Sequence, residues 1–176
     1  MKLLFLSRFL LLFFTATTLI HAQQKEITLQ DIWSGTFRTQ GLDVLRSLDN
    51  GKEYSVLNYD RSNNASTIDV YEYKSGEKVR TLINSQQLSN IEYIISYEFS
   101  DDEKKLLIST QLQQIYRRST LGTYYVYDLE SKELTRVSEE KIQEPTFSKD
   151  GTRIAYGLNN DLFIKDLTSG TTQQIT

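Results

Sequence analysis

The sequence has no cysteine, one histidine, one proline and one methionine in 176 residues. Without cysteine there is no disulfide, no thiol nucleophile and no residue to carry a lipoprotein lipid, so stability must come from buried apolar area and strand pairing. The single histidine is His21, inside an amino-terminal segment that reads as a secretory signal peptide. With that segment removed, no imidazole remains to take a serine proton, and a Ser-His-Asp triad cannot be completed within the chain. A zinc site built from His or Cys fails by the same count, and no Gly-rich phosphate-binding loop occurs. No cofactor and no metal site are expected.

The amino-terminal segment carries Lys2 and Arg8 ahead of an apolar run over residues 9–20, and Ile20-His21-Ala22 offers a cleavage site. This predicts a signal peptide over residues 1–22 and export to a periplasmic or extracellular location. An apolar run of about a dozen residues is short of the roughly 20 needed to cross a bilayer, so no stable membrane span is expected after cleavage. Cleavage removes two of the 20 Lys and Arg residues and none of the 23 Asp and Glu, which leaves a net charge of −5. That balance gives no attraction for nucleic acid. Residues 23–40 read as a lead-in segment, with a helical turn or two over Leu29 to Trp33.

Beyond residue 40 one pattern occurs three times. Each copy has a short strand and then a turn, Leu48-Asp49-Asn50-Gly51, Ser100-Asp101-Asp102-Glu103 or Ser148-Lys149-Asp150-Gly151. Asn, Asp and Gly in such turns supply the backbone conformations a tight reversal needs. A second strand follows at 54–59, 105–110 and 153–158, and a third, aromatic and β-branched, at 67–73, 123–129 and 161–167. Further turns at 74–77, 130–133 and 168–171 release a fourth strand at 78–83, 134–137 and 172–176.

Four antiparallel strands per repeat of about 40 to 50 residues is the organisation of a propeller blade. The expected fold is therefore all-β, a partial β-propeller of about three blades near residues 41–87, 88–140 and 141–176. A β-sandwich of twelve strands is the rival arrangement. Propellers close with about four to eight blades, so three are expected to belong to a longer protein or to need a partner.

The segment Ile27-Thr28-Leu29-Gln30-Asp31-Ile32-Trp33 with Gly35-Thr36-Phe37-Arg38 resembles the mature start of bacterial dipeptidyl peptidase IV enzymes. Ile115-Tyr116-Arg117-Arg118-Ser119-Thr120 with Tyr125-Val126-Tyr127-Asp128-Leu129 resembles their second blade. Ala155-Tyr156-Gly157-Leu158-Asn159-Asn160-Asp161-Leu162-Phe163-Ile164 resembles the third. The resemblance runs from about Lys25 to the end. It implies a serine-type dipeptidyl peptidase that joins an eight-bladed propeller to a C-terminal α/β-hydrolase domain and removes dipeptides from peptide amino termini. The nucleophile elbow, acid and histidine of such a family would lie in the hydrolase domain, which this chain is expected to lack. A peptide substrate is the implied partner of the parent protein. The alternative is a non-catalytic binding or scaffold protein whose blades are completed by homo-oligomerisation.

One site follows from comparing the repeats. The second blade joins its second and third strands through residues 111–122, where the third blade uses only Asn159 and Asn160. Loops longer than the repeat requires tend to carry function. The resemblance implies that Arg117 in this loop binds a carbonyl oxygen of a peptide. A guanidinium suits that task because it is permanently charged and offers several donors in a fixed fork. On residue type alone, Arg117 and Arg118 read as a solvated basic pair on a strand edge, and it is the resemblance that turns the reading to a site. Glu139-Glu140 is taken as a charged surface linker rather than an anchor for a substrate amine, and the strand aromatics as packing between blades. Asn64-Ala65-Ser66 fits the glycosylation pattern but lies in a polar turn.

Overall fold

The computed structural model describes residues 26–39, 41 and 44–176, so the signal-peptide expectation lies outside the described residues. The chain divides into two units, Met1–Gly41 and Leu42–Thr176. The described part of the first unit contains the helix α1 (Leu29–Trp33), where it was expected. A reciprocal cap starts it: the Asp31 amide donates to Thr28 Oγ1 at 3.1 Å and the Thr28 amide donates to Asp31 Oδ2 at 3.1 Å. No helix among the described residues is long and apolar enough to cross a membrane.

The second unit is built from twelve strands. β1 (Leu45–Ser47), β2 (Glu53–Asp60), β3 (Ala65–Glu72) and β4 (Lys78–Asn84) form blade 1. β5 (Ser96–Phe99), β6 (Lys105–Tyr116), β7 (Ser119–Asp128) and β8 (Leu134–Arg136) form blade 2, and β9 (Gln143–Phe147), β10 (Arg153–Leu158), β11 (Asp161–Asp166) and β12 (Thr172–Gln174) form blade 3. Within each sheet the strands lie in chain order and pair antiparallel. Among the described residues no strand crosses between sheets.

The turns repeat in atomic detail. Gly51, Glu103 and Gly151 all take positive φ (65°, 54° and 62°), and each donates its amide to the residue three before it. In the second turns Gly76, Lys132 and Gly170 take φ 69°, 61° and 72°, and each donates its amide to the residue four before it. Local turn chemistry thus fixes hairpin register in all three blades.

Packing separates the propeller arrangement from the sandwich. On blade 2, Leu106, Ile108, Tyr125 and Tyr127 meet Ile68, Ile83, Ile91 and Ile94 from blade 1 and the crossover that follows it. Their neighbours Leu107, Val126 and Tyr124 meet Ile142, Ile154, Tyr156 and Phe163 on the blade 3 side. The middle sheet is therefore buried on both faces, which explains the unbroken Leu106-Leu107-Ile108 run, whereas a two-sheet sandwich buries one face of each sheet. Polar ties cross the same boundaries. Ser55 and Tyr97 share a buried hydroxyl hydrogen bond of 2.8 Å, and the Lys165 ammonium donates to the carbonyls of Arg136 and Val137 at 2.7 and 3.1 Å.

One expectation about the aromatics is corrected. Tyr124, Tyr125, Tyr127 and Phe163 do pack between blades, but Tyr71 and Tyr73 stack on Tyr54, with centroids 5.5 and 4.7 Å apart. Strand alternation puts that stack on the face of blade 1 turned away from blade 2, because Ser55 and Val70, its neighbours in the ladder, point the other way.

Candidate functional site

The hairpin of blade 2 projects beyond those of its neighbours. Residues 111–122, expected as a loop, are instead mostly strand: β6 runs on to Tyr116 and β7 starts at Ser119, leaving Arg117 and Arg118 as the turn. The physical reason is backbone satisfaction. A projecting segment that carries Leu112, Ile115, Tyr116, Thr120 and Leu121 pairs its amides across its own two limbs rather than leaving them to solvent. The ladder is interrupted twice, between Thr110 and Gln113 and between Gln114 and Tyr116, and Gln111 takes φ 50° in the first interruption. Such bulges bend a hairpin and increase its twist.

Arg117 stands at the exposed tip beside Tyr116, which is 76 % exposed. Among the described residues no carboxylate pairs with Arg117 or Arg118. The tip thus presents permanent positive charge and fixed donors that the fold does not consume.

On the blade 1 side of the hairpin root lies a cavity of about 680 Å³ lined by Tyr59, Asn64, Glu92, Tyr93, Ile95 and Gln111, among others. Its polar groups are largely engaged with one another. The Tyr59 hydroxyl donates to the Ile95 carbonyl at 3.2 Å, the Tyr93 hydroxyl donates to Asn64 Oδ1, and Asn64 Nδ2 donates to Glu92 at 3.2 Å. Ser66 is fully buried and accepts from the Ile94 amide at 2.8 Å, so Asn64-Ala65-Ser66 is tied into the fold at both ends. Residue-level reading missed this cavity because its walls come from three separated stretches. Glu139 pairs with Arg136 at 3.0 Å and is 90 % exposed, in keeping with a surface linker. Among the described residues no three His, Cys, Asp or Glu side chains converge to hold a metal ion.

Strongly shifted acids lie away from the tip and shape turns. Hydrogen bonds from Ser148 and Thr152 hold the Asp150 carboxyl down to about 2. On the face of blade 1 turned away from blade 2, burial raises the Asp69 carboxyl, but hydrogen bonds from Lys78, Thr81, Thr67 and Asn58 outweigh it and keep the group below its ordinary value. Blade 2 and blade 3 show the same device, with Ser100 donating to Asp102 and Ser148 to Asp150, each at 2.6 Å.

Three consecutive four-stranded antiparallel blades, the middle one buried on both faces, define a β-propeller region. Residues 100–176 match the family model described as the dipeptidyl peptidase IV N-terminal region. The crystal structure of Porphyromonas gingivalis dipeptidyl peptidase 4 superposes with a TM-score of 0.74 at 32 % identity, covering 87 % of this chain and 22 % of that one. Human prolyl endopeptidase FAP is 27 % identical over 154 residues, 86 % of this chain and 19 % of the relative. A probable dipeptidyl-aminopeptidase B from Neurospora crassa is 24 % identical over 179 residues, 90 % of this chain and again 19 % of the relative. The chain is a dipeptidyl peptidase IV-like N-terminal propeller region, and it spans about a fifth of the length of these relatives.

Proposed function

We propose that this chain supplies the opening blades of an exported serine-type dipeptidyl peptidase, with Arg117 anchoring a carbonyl oxygen of the peptide. The observation that carries the site is the projecting hairpin, which holds an Arg without an ion-pair partner at its tip. A hydrolase domain following these blades would supply the nucleophile, acid and histidine, and the apolar run at residues 9–20 supports export.

The coding sequence after Thr176 tests the peptidase reading. A continuing frame that encodes a Gly-Trp-Ser-Tyr-Gly-Gly-type elbow is expected, and a stop followed by unrelated sequence overturns it. Calorimetric titration with the tripeptide Ala-Pro-Ala tests the anchor. Arg117→Ala is expected to weaken binding about tenfold or more, the scale of a lost hydrogen bond to a charged group, with Arg117→Lys between. Equal affinity in all three proteins overturns the role.

A second reading, a scaffold completed by self-assembly, is favoured by the half-covered face of blade 3, where Leu162 and Ile175 are more than 40 % exposed. A stable oligomer by solution mass measurement supports that reading.

A further inference from the structure

The tip of the blade 2 hairpin is not left to its own two strands. Beyond the Thr110–Thr123 pair its limbs run six residues on the β6 side, about 20 Å at the rise of an extended strand, with two breaks in the ladder. A hairpin of that length is marginal by itself in water. The start of blade 3, Ile142 and the first residue of β9, reaches it at two heights. At the root, Gly122 and Ile142 exchange amide hydrogen bonds of 3.0 and 2.9 Å. Next to the tip, Gln143 Nε2 donates to Ser119 Oγ at 3.0 Å, and Ser119 is the residue that closes the Arg117-Arg118 turn.

The root tolerates nothing larger than glycine without rearrangement. A Cβ on Gly122 would lie 2.4 Å from Leu112 Cδ2 and 2.9 Å from Tyr124 Cε2. Gly122 does not take a left-handed backbone, so what its missing side chain provides here is room for the Leu112 and Tyr124 side chains. The paired Gly122–Ile142 backbone bonds tie β7 to the start of blade 3, which brings Gln143 within reach of Ser119.

We propose that Gln143, through Ser119, and Ile142, through Gly122, are positioning residues that hold Arg117 in place from the neighbouring blade. The contact fixes hairpin direction by coupling it to β9, the edge strand of blade 3, so correct placement of the guanidinium depends on two blades being stacked. This rests on the reading of Arg117 as the peptide anchor.

Amide hydrogen exchange and Ala-Pro-Ala titration on the full 176-residue chain test it together. In Gln143→Ala the amides from Tyr116 to Ser119 are expected to exchange about fivefold faster, the scale of one net hydrogen bond. Ser119→Ala is expected to do the same, and the double variant to add little beyond either. Gln143→Glu restores protection, because the Ser119 hydroxyl then donates to the carboxylate. Peptide affinity is expected to fall severalfold in Gln143→Ala, to recover in Gln143→Glu, and to fall no further when Gln143→Ala is added to Arg117→Ala. Unchanged exchange in Gln143→Ala overturns the brace. Faster exchange with unchanged affinity, while Arg117→Ala still loses affinity, overturns the positioning role. If Arg117→Ala keeps full affinity, the anchor reading falls, and the exchange data still decide the brace.

Discussion

The Asp49 amide donates to the carboxylate of Glu103 at 2.7 Å, across the boundary between blade 1 and blade 2. Glu103 occupies the turn position that is Gly51 in blade 1 and Gly151 in blade 3, at φ 54°. A side chain in the left-handed region costs on the order of 1–2 kcal/mol, and here the bond to the next blade offsets it. Glu103→Ala keeps the strain and loses the bond, so it is expected to destabilise the chain by about 1–2 kcal/mol in urea unfolding. Glu103→Gly loses both and is expected to stay within about 0.5 kcal/mol of the parent.

Lys132 provides the complementary case. It holds φ 61° at a position that is Gly76 and Gly170 in the other blades. Its ammonium lies 6.0 Å from the centroid of the buried Tyr127 ring and donates an exposed hydrogen bond to the Leu129 carbonyl. Lys132→Gly is expected to raise stability by about 0.5–1 kcal/mol, read as a higher urea midpoint at unchanged m-value.

Stability should fall on the acid side of pH 4 for a nameable reason. Asp150 titrates near 3.8 when unperturbed and at about 2 in the folded chain, where the Ser148 and Thr152 hydroxyls donate to it. A depressed folded value means the carboxylate's contribution is complete above the unfolded value and is lost as pH falls from about 4 through about 2. Asp69 and Asp128 are lowered in the same sense. Asp150→Asn is expected to flatten the slope of stability against pH in that window, measured by urea unfolding at stepped pH. An unchanged slope assigns the acid sensitivity elsewhere.

The chain by itself is expected to release no chromophore from a Gly-Pro anilide. Its one histidine is His21, outside the described blades, and the Ser-His-Asp mechanism needs an imidazole beside the serine. Appreciable turnover by the purified chain, abolished by a serine-directed reagent, contradicts this.

Much of the fold is legible in the residues. Asn, Asp and Gly at the turns and apolar alternation between them place β10 at Arg153–Leu158, as the sequence predicts, and α1 at Leu29–Trp33 through its Thr28 and Asp31 cap. Residues 111–122 were less legible. Their strand character is carried by cross-limb hydrogen bonds interrupted by bulges, and bulges break the period-2 pattern on which strand recognition depends. The outward stack of Tyr54, Tyr71 and Tyr73 has the same composition as the buried aromatics. Only the register against Ser55 and Val70 separates the two faces. Arg117 is visible as a residue type in a long connection, whereas its brace is not, because Gln143 and Ser119 lie 24 residues apart and meet only when blade 3 stacks on blade 2.

The most direct test of the account is a map of where Ala-Pro-Ala perturbs the amide resonances of the isotope-labelled chain. Saturable shifts at Tyr116, Arg117, Arg118 and Ser119 that vanish in Arg117→Ala are the predicted result. Shifts confined to the cavity around Tyr59 and Tyr93, and persisting in Arg117→Ala, would contradict it.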